Sequence, residues 1–199
     1  ATGSLQGFLN GQGESINVLT DQNAVQRWTS TISTNTTLTL QVELSGNAAS
    51  NNLGLYNAND ILPLLYQVFP GVAGTGWFAV ASFRTLPSIR VIVTLFNASA
   101  VLQGSNTYLG ADRNDFGFYL QGTGGLFFSQ DARNPGGDPQ AVTYAGTGVN
   151  SGSWWVCFED RAFSAGSDRD FDDAVLFCES LNPVPVSKTT WGSVKARFR

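Results

Sequence analysis

Residues 36–44 read "TTLTLQVEL", with Leu38, Leu40, Val42 and Leu44 on one face and Thr37, Thr39, Gln41 and Glu43 on the other. That strict period of two is the mark of a strand with one face buried. Shorter pieces repeat it on both sides of a turn: "WFAVASFR" (77–84), "SIRVIVTLF" (88–96), "FGFYL" (116–120), "AVTYAG" (141–146), "SWWVCFE" (153–159) and "DAVLFCE" (173–179). They are rich in aromatic and β-branched residues and are separated by Gly, Asn and Pro. Apolar sheet faces must cover one another, so these strands predict an all-β, antiparallel sandwich or jelly roll built as one domain over residues 1–180. At most one or two short helices fit. "DQNAVQRWTST" (21–31) is the expected one, with Asp21 as cap and Ala24, Val25 and Trp28 on one face. "DILPLLYQVF" (60–69) reads as either a helical turn or an edge strand around Pro63.

The composition narrows the function. A chain of 199 residues that is 42% hydrophobic buries one good core. Its net charge of −4 argues against nucleic acid, which needs clustered Lys and Arg. No run of about 18 apolar residues occurs, so no membrane span is expected. The chain has no histidine, which removes the common acid–base and triad arrangements, and its carboxylates crowd into one loop instead of facing across a cleft. An enzyme is not expected. The start "ATGS", in a chain without methionine, suits an exported protein after removal of a signal peptide. Trp77, Trp154, Trp155 and Trp191 fit a sheet core better than a sugar platform.

After residue 180 the composition changes. "NPVPVSKTT" is a Pro-rich linker, and "WGSVKARFR" alternates Val194, Ala196 and Phe198 with Lys195, Arg197 and Arg199. Together with Trp191 these apolar residues form a candidate strand for donation to the sheet edge of a neighbouring copy.

Residues 158–180, "FEDRAFSAGSDRDFDDAVLFCES", carry seven of the chain's fifteen carboxylates. If "SWWVCFE" and "DAVLFCE" pair with Cys157 opposite Cys178, Phe158 faces Phe177, and a disulfide contributes about 3 kcal/mol by the loop-entropy estimate. Two buried free thiols are the alternative. Carboxylates about 4 Å apart repel by on the order of 4 kcal/mol near a protein surface. Either they splay into water, or a cation sits among them. An all-oxygen set without histidine suits calcium.

These same residues resemble the signature of a bacterial domain family of unknown function: F-E-D, then G-x-D-R-D-F-x-D, then an apolar strand. The family occurs in exported and surface proteins, often ahead of a PEP-CTERM sorting tail. "TLQVELSGNAASNNLGLYNAN", "FGFYLQG" and "LFFSQDARNPGGDPQAVTYAG" fit it in order, so the resemblance spans roughly residues 36–180. It implies an extracellular β-domain in which Glu159, Asp160, Asp168, Asp170 and Asp173 bind metal. The cysteine pair is not part of the pattern, and "VSKTTWGSVKARFR" replaces the usual apolar anchor. The combined expectation is a non-enzymatic extracellular subunit that polymerises with copies of itself by strand exchange and is stabilised by calcium. The alternative is a monomeric calcium-dependent adhesion or carbohydrate-binding module on the cell surface, with surface polysaccharide as its partner.

Overall fold

A computed structural model of the protein describes residues 4–30, 35–42 and 48–184. In chain order these residues form α1 (Leu5–Gly11), β1 (Trp28–Ser30), β2 (Asn35–Val42), β3 (Asn52–Asn57), β4 (Leu65–Phe69), β5 (Phe78–Arg84), β6 (Arg90–Phe96) and β7 (Leu102–Leu109). There follow β8 (Phe116–Gly122), β9 (Gly125–Phe128), β10 (Ala141–Ala145), β11 (Trp154–Phe158), β12 (Ala174–Glu179) and β13 (Leu181–Pro183), with short 3-10 turns between.

The strands build two antiparallel sheets, a β-sandwich. One runs β10–β11–β12–β2–β5–β6–β7; the other runs β13–β1–β8–β3–β4, with β9 against β8. The alternating stretch is the middle strand of the larger sheet, paired to β12 on one side and β5 on the other. Its inward side chains Thr36, Leu38 and Leu40 are buried. Leu38 and Leu40 share the inter-sheet core with Leu53, Leu55, Phe116 and Phe118 of the smaller sheet. Leu44 lies outside the described residues.

Each sheet also buries part of its outer face. On the smaller one, Tyr56 is opposite Gly117 and Tyr119 is opposite Gly54. A Cβ at Gly117 would sit 2.5 Å from the Tyr56 ring, and one at Gly54 would sit 2.7 Å from the Tyr119 ring. Each glycine therefore makes room for the ring across from it. On the larger sheet, α1 lays Leu5 and Leu9 over Tyr144, Trp155, Cys157 and Val175. Ser4 caps the helix, its hydroxyl accepting from Gly7 N at 3.4 Å. Just beyond, buried Glu14 accepts from Thr147 N (2.7 Å), Thr147 Oγ1 (2.6 Å), Asn150 Nδ2 (2.8 Å) and Trp155 Nε1 (2.7 Å). That carboxylate clamps the N-terminal segment to the sheet.

Two expectations are corrected and one open alternative is resolved. Residues 21–30 are not helical: Trp28 is a fully buried strand residue paired with Phe116, and Asp21 accepts from Asn17 N instead of capping a helix. The spacing of Ala24, Val25 and Trp28 fits a helix, but tertiary burial of Trp28 overrides it. The stretch 60–69 resolves as the edge strand: after a bend at 61–62, β4 begins beyond Pro63 and closes the smaller sheet at one end.

Cys157 and Cys178 do not form a disulfide. Cys157 is opposite Val175 and Cys178 is opposite Trp154, a register three residues from the expected one; Phe158 accordingly faces Ala174. An odd offset sends the two thiols to opposite faces of the sheet. Cys178 lies in the inter-sheet core and Cys157 under α1; both are free and buried. Burial pushes both thiols well above the usual range.

The chain past residue 180 begins as β13, antiparallel to β1. Trp191, Val194, Ala196 and Phe198, the expected assembly strand, lie outside the described residues. No described helix is long and apolar enough to cross a membrane.

Candidate metal centre at the acidic loop

Strands β11 and β12 pair from Trp154–Cys178 to Phe158–Ala174, so residues 159–173 form the loop that joins them. Its organiser is Glu159. The ladder continues one residue past β11, Glu159 N donating to Gln140 O at 3.0 Å, which carries the Glu159 side chain beneath the loop with no exposed surface. The loop then wraps around that carboxylate. Ser167 Oγ donates to Oε2 in a short bond, Arg169 N donates to Oε2 at 3.3 Å, and Phe171 N donates to Oε1 at 2.5 Å. Arg169 and Phe171 take left-handed φ values of 61° and 56°. That conformation is costly for non-glycine residues, and here it aims both amides at one anion, a backbone nest.

Around this hub, oxygens of Glu159, Asp168 and Asp170 lie within 4.8 Å of one another. Asp168 and Asp170 are exposed, so the group opens to solvent on one side. Asp160 and Asp173, also expected as ligands, are engaged elsewhere. Asp173 Oδ2 accepts from Asp160 N at 2.9 Å, tying the two ends of the loop together, and Asp160 Oδ2 accepts from Asn51 Nδ2 at 3.4 Å. The turn at 122–125 packs on this joint so closely that a Cβ on Gly124 would sit 1.9 Å from the Asp160 carbonyl oxygen. Of the five expected ligands, the structure brings three together and uses two as a clasp.

The crowding of negative charge falls on the carboxyls themselves. Burial, aided by the negative charges of Asp168 and Asp170, raises the Glu159 carboxyl against the hydrogen bonds that hold it ionised. Burial first, then Asp170, pushes Asp172 up to about 6; burial, with Asp160 and Glu159 adding to it, pushes Asp173 up to about 7. A cation bound among these carboxylates would compete with protons for them.

The donor set fits a hard divalent cation. Calcium takes six to eight oxygens at roughly 2.3–2.6 Å, so ligand oxygens up to about 5 Å apart suit it. A carboxylate has about four lone-pair sites, and Glu159 spends three of them on the loop. One stays available, beside the exposed carboxylates of Asp168 and Asp170. The thiols are buried in the sandwich and the chain has no histidine, so the softer donors that favour zinc or copper are missing from the loop.

Comparison of the chain with protein-family models, curated proteins and solved structures gives no match.

Three features escape sequence reasoning. Asp172, buried and raised, stands in the quoted motif and is not among the five expected ligands. Ser167, the hydroxyl bridging Glu159 and Arg169 N, carries no sequence signal. A cavity of about 310 Å3 adjoins the loop, with Asp170 and Phe171 on one wall and Leu5, Val18 and Val142 on the other. Its walls come from opposite ends of the chain, which no local pattern announces. Arg169 lines it as well, its guanidinium 4.3 Å over the Phe163 ring, another of the lining residues. Trp154 and Trp155 are buried, as a core role requires.

Proposed function

We propose that the protein is a non-enzymatic extracellular structural subunit that assembles with copies of itself by lending its C-terminal strand to a neighbour, while calcium fixes the acidic loop. The observation that carries the reading is strand β7. It is the last strand of the larger sheet, eight residues long and largely exposed along its length. Such an edge presents a row of backbone donors and acceptors for another strand. The alternating segment 191–199 has the pattern and length to fill it, and head-to-tail exchange that does not close gives filaments or tubes. The resemblance to exported domains supports the extracellular setting, and the convergence of Glu159, Asp168 and Asp170 supports calcium.

A second reading, a monomeric calcium-dependent module binding surface polysaccharide, is favoured by the cavity beside those carboxylates. Electron microscopy of the purified protein in calcium and in EDTA separates the two. The subunit reading expects filaments or sheets in calcium that disappear when Val194→Asp and Phe198→Asp are combined. Monomers throughout, or assemblies indifferent to those changes, would remove it.

A further inference from the structure

The cavity beside the acidic loop has a buried apolar floor, including Leu5 and Val142, and a rim where Asp170, Arg169 and the 76%-exposed Leu19 stand; the Arg169 guanidinium is turned onto the Phe163 ring. Residues 159–173 hold six carboxylates against two arginines. The fifteen residues 185–199 hold Lys188, Lys195, Arg197 and Arg199 and no acid, so loop and tail carry equal and opposite net charge. Val194, Ala196 and Phe198 alternate with the last three of those cations. Such a segment, if extended, would offer an apolar face to the floor while its long basic side chains reached the rim.

The direction in which the described chain ends adds to this. β13 runs antiparallel to β1, and Val184 N donates to Arg27 O at 3.0 Å, so the chain leaves heading back along residues 27 to 22. Gln22 and Asn23 line the cavity. About four extended residues, roughly 13 Å, cover the path from Arg27 to Asn23.

We propose that the chain's own C-terminal segment docks in this groove, Phe198 against the apolar floor and its basic side chains on Asp168 and Asp170, and that calcium releases it by taking the same carboxylates. The release step rests on the calcium reading above; the docking does not. The donated strand is then held by its own subunit until calcium frees it for a neighbour.

The test uses the full chain. Its only lysines are Lys188 and Lys195, so carbodiimide coupling of lysine to carboxylate reports on the tail alone. Mixing unlabelled and 15N-labelled protein separates coupling within a chain from coupling between chains. The expected product in EDTA is an intrachain link from a tail lysine to Asp168 or Asp170, lost on adding calcium and lost in Leu19→Arg, a change at an exposed position that leaves the core intact. Links only to other carboxylates, or only between chains, overturn the docking; an intrachain link unchanged by calcium overturns the release. Microscopy of the same samples keeps the two ideas apart. Assembly without the link removes the docking and leaves the subunit reading, whereas the link without assembly in any condition removes the subunit reading and leaves the docking.

Discussion

Glu14 offers a sharp test of how the sandwich is held. Its carboxylate is 5% exposed, and all four of its partners are donors: the Thr147 amide and hydroxyl on Oε2, Asn150 Nδ2 and Trp155 Nε1 on Oε1. Glu14→Gln is therefore not conservative. Whichever way the amide turns, its NH2 meets one obligate donor, the Trp155 N–H on one side or the Thr147 backbone N–H on the other, and the charge that strengthens the remaining bonds is gone. Thr147 and Asn150 are half-exposed and can recover water; the Trp155 N–H is buried and cannot. An unsatisfied buried donor costs about 1–3 kcal/mol, and a bond to a charged group contributes about 1.5–3 kcal/mol. The expected loss is about 2 kcal/mol for Glu14→Gln and about 3 kcal/mol for Glu14→Ala, a large share of a stability of about 5–15 kcal/mol.

The pH dependence supplies a second signature of the same contact. Burial alone would raise this carboxyl, but its four donors outweigh burial and hold it below the usual range. A depressed carboxyl adds stability that is present above the ordinary glutamate pKa of about 4.3 and is lost as pH falls. Urea unfolding followed by tryptophan fluorescence, at neutral pH and at steps down into acid, reads both effects. The reasoning fails if Glu14→Gln unfolds within about 0.5 kcal/mol of the parent at neutral pH, the range of ordinary surface substitutions, or keeps the parent's acid slope.

The acidic loop should respond to pH with the opposite sign. Asp172 and Asp173 are raised to about 6 and about 7, so in EDTA their contribution weakens as pH climbs from the ordinary aspartate range through neutrality. Calcium should flatten that decline and raise the melting temperature, and Asp170→Asn should shrink the calcium effect; melting curves identical in calcium and EDTA would favour a solvated loop. Gly117→Ala drives a methyl into the Tyr56 ring and should cost about 1–3 kcal/mol, whereas Gly11→Ala, with open space around it, serves as the control; equal unfolding midpoints for the two would contradict the packing of Tyr56 on β8. Cys157 and Cys178 should resist a thiol reagent in the native protein and both react in denaturant without a reductant. Two unreactive sulfurs in denaturant would restore the disulfide.

The strands were legible because a sheet with one buried face imposes a period of two that few other structures share. The helices were misjudged in both directions. Leu5, Phe8 and Leu9 after Ser4 do carry a helical spacing and a cap, but Gly7 and Gly11 weaken it. Ala24, Val25 and Trp28 carry a similar spacing and belong to extended chain. The cysteine pairing failed on register, which depends on how β12 meets β2 and β11 and not on either strand alone. In the loop, the crowding of acids was evident and their division of labour was not. It hinges on Glu159 turning inward and on two left-handed residues, Arg169 and Phe171, neither of which is glycine. The clasp between Asp173 and the Asp160 amide followed from the same turn.

The short strand β13 has a mechanical consequence. Tension on the tail enters the sandwich at Val184 N and Arg27 O and must cross a ladder of three residue pairs. A pull directed along the β13 axis would load those bonds together in shear, whereas a pull across it would peel them one at a time. Arg27 is in turn gripped by both carboxylate oxygens of Asp115 at the end of β8. If copies are strung together through their tails, that three-pair ladder carries the load into each subunit, and Asp115→Asn should lower the force at which it gives way.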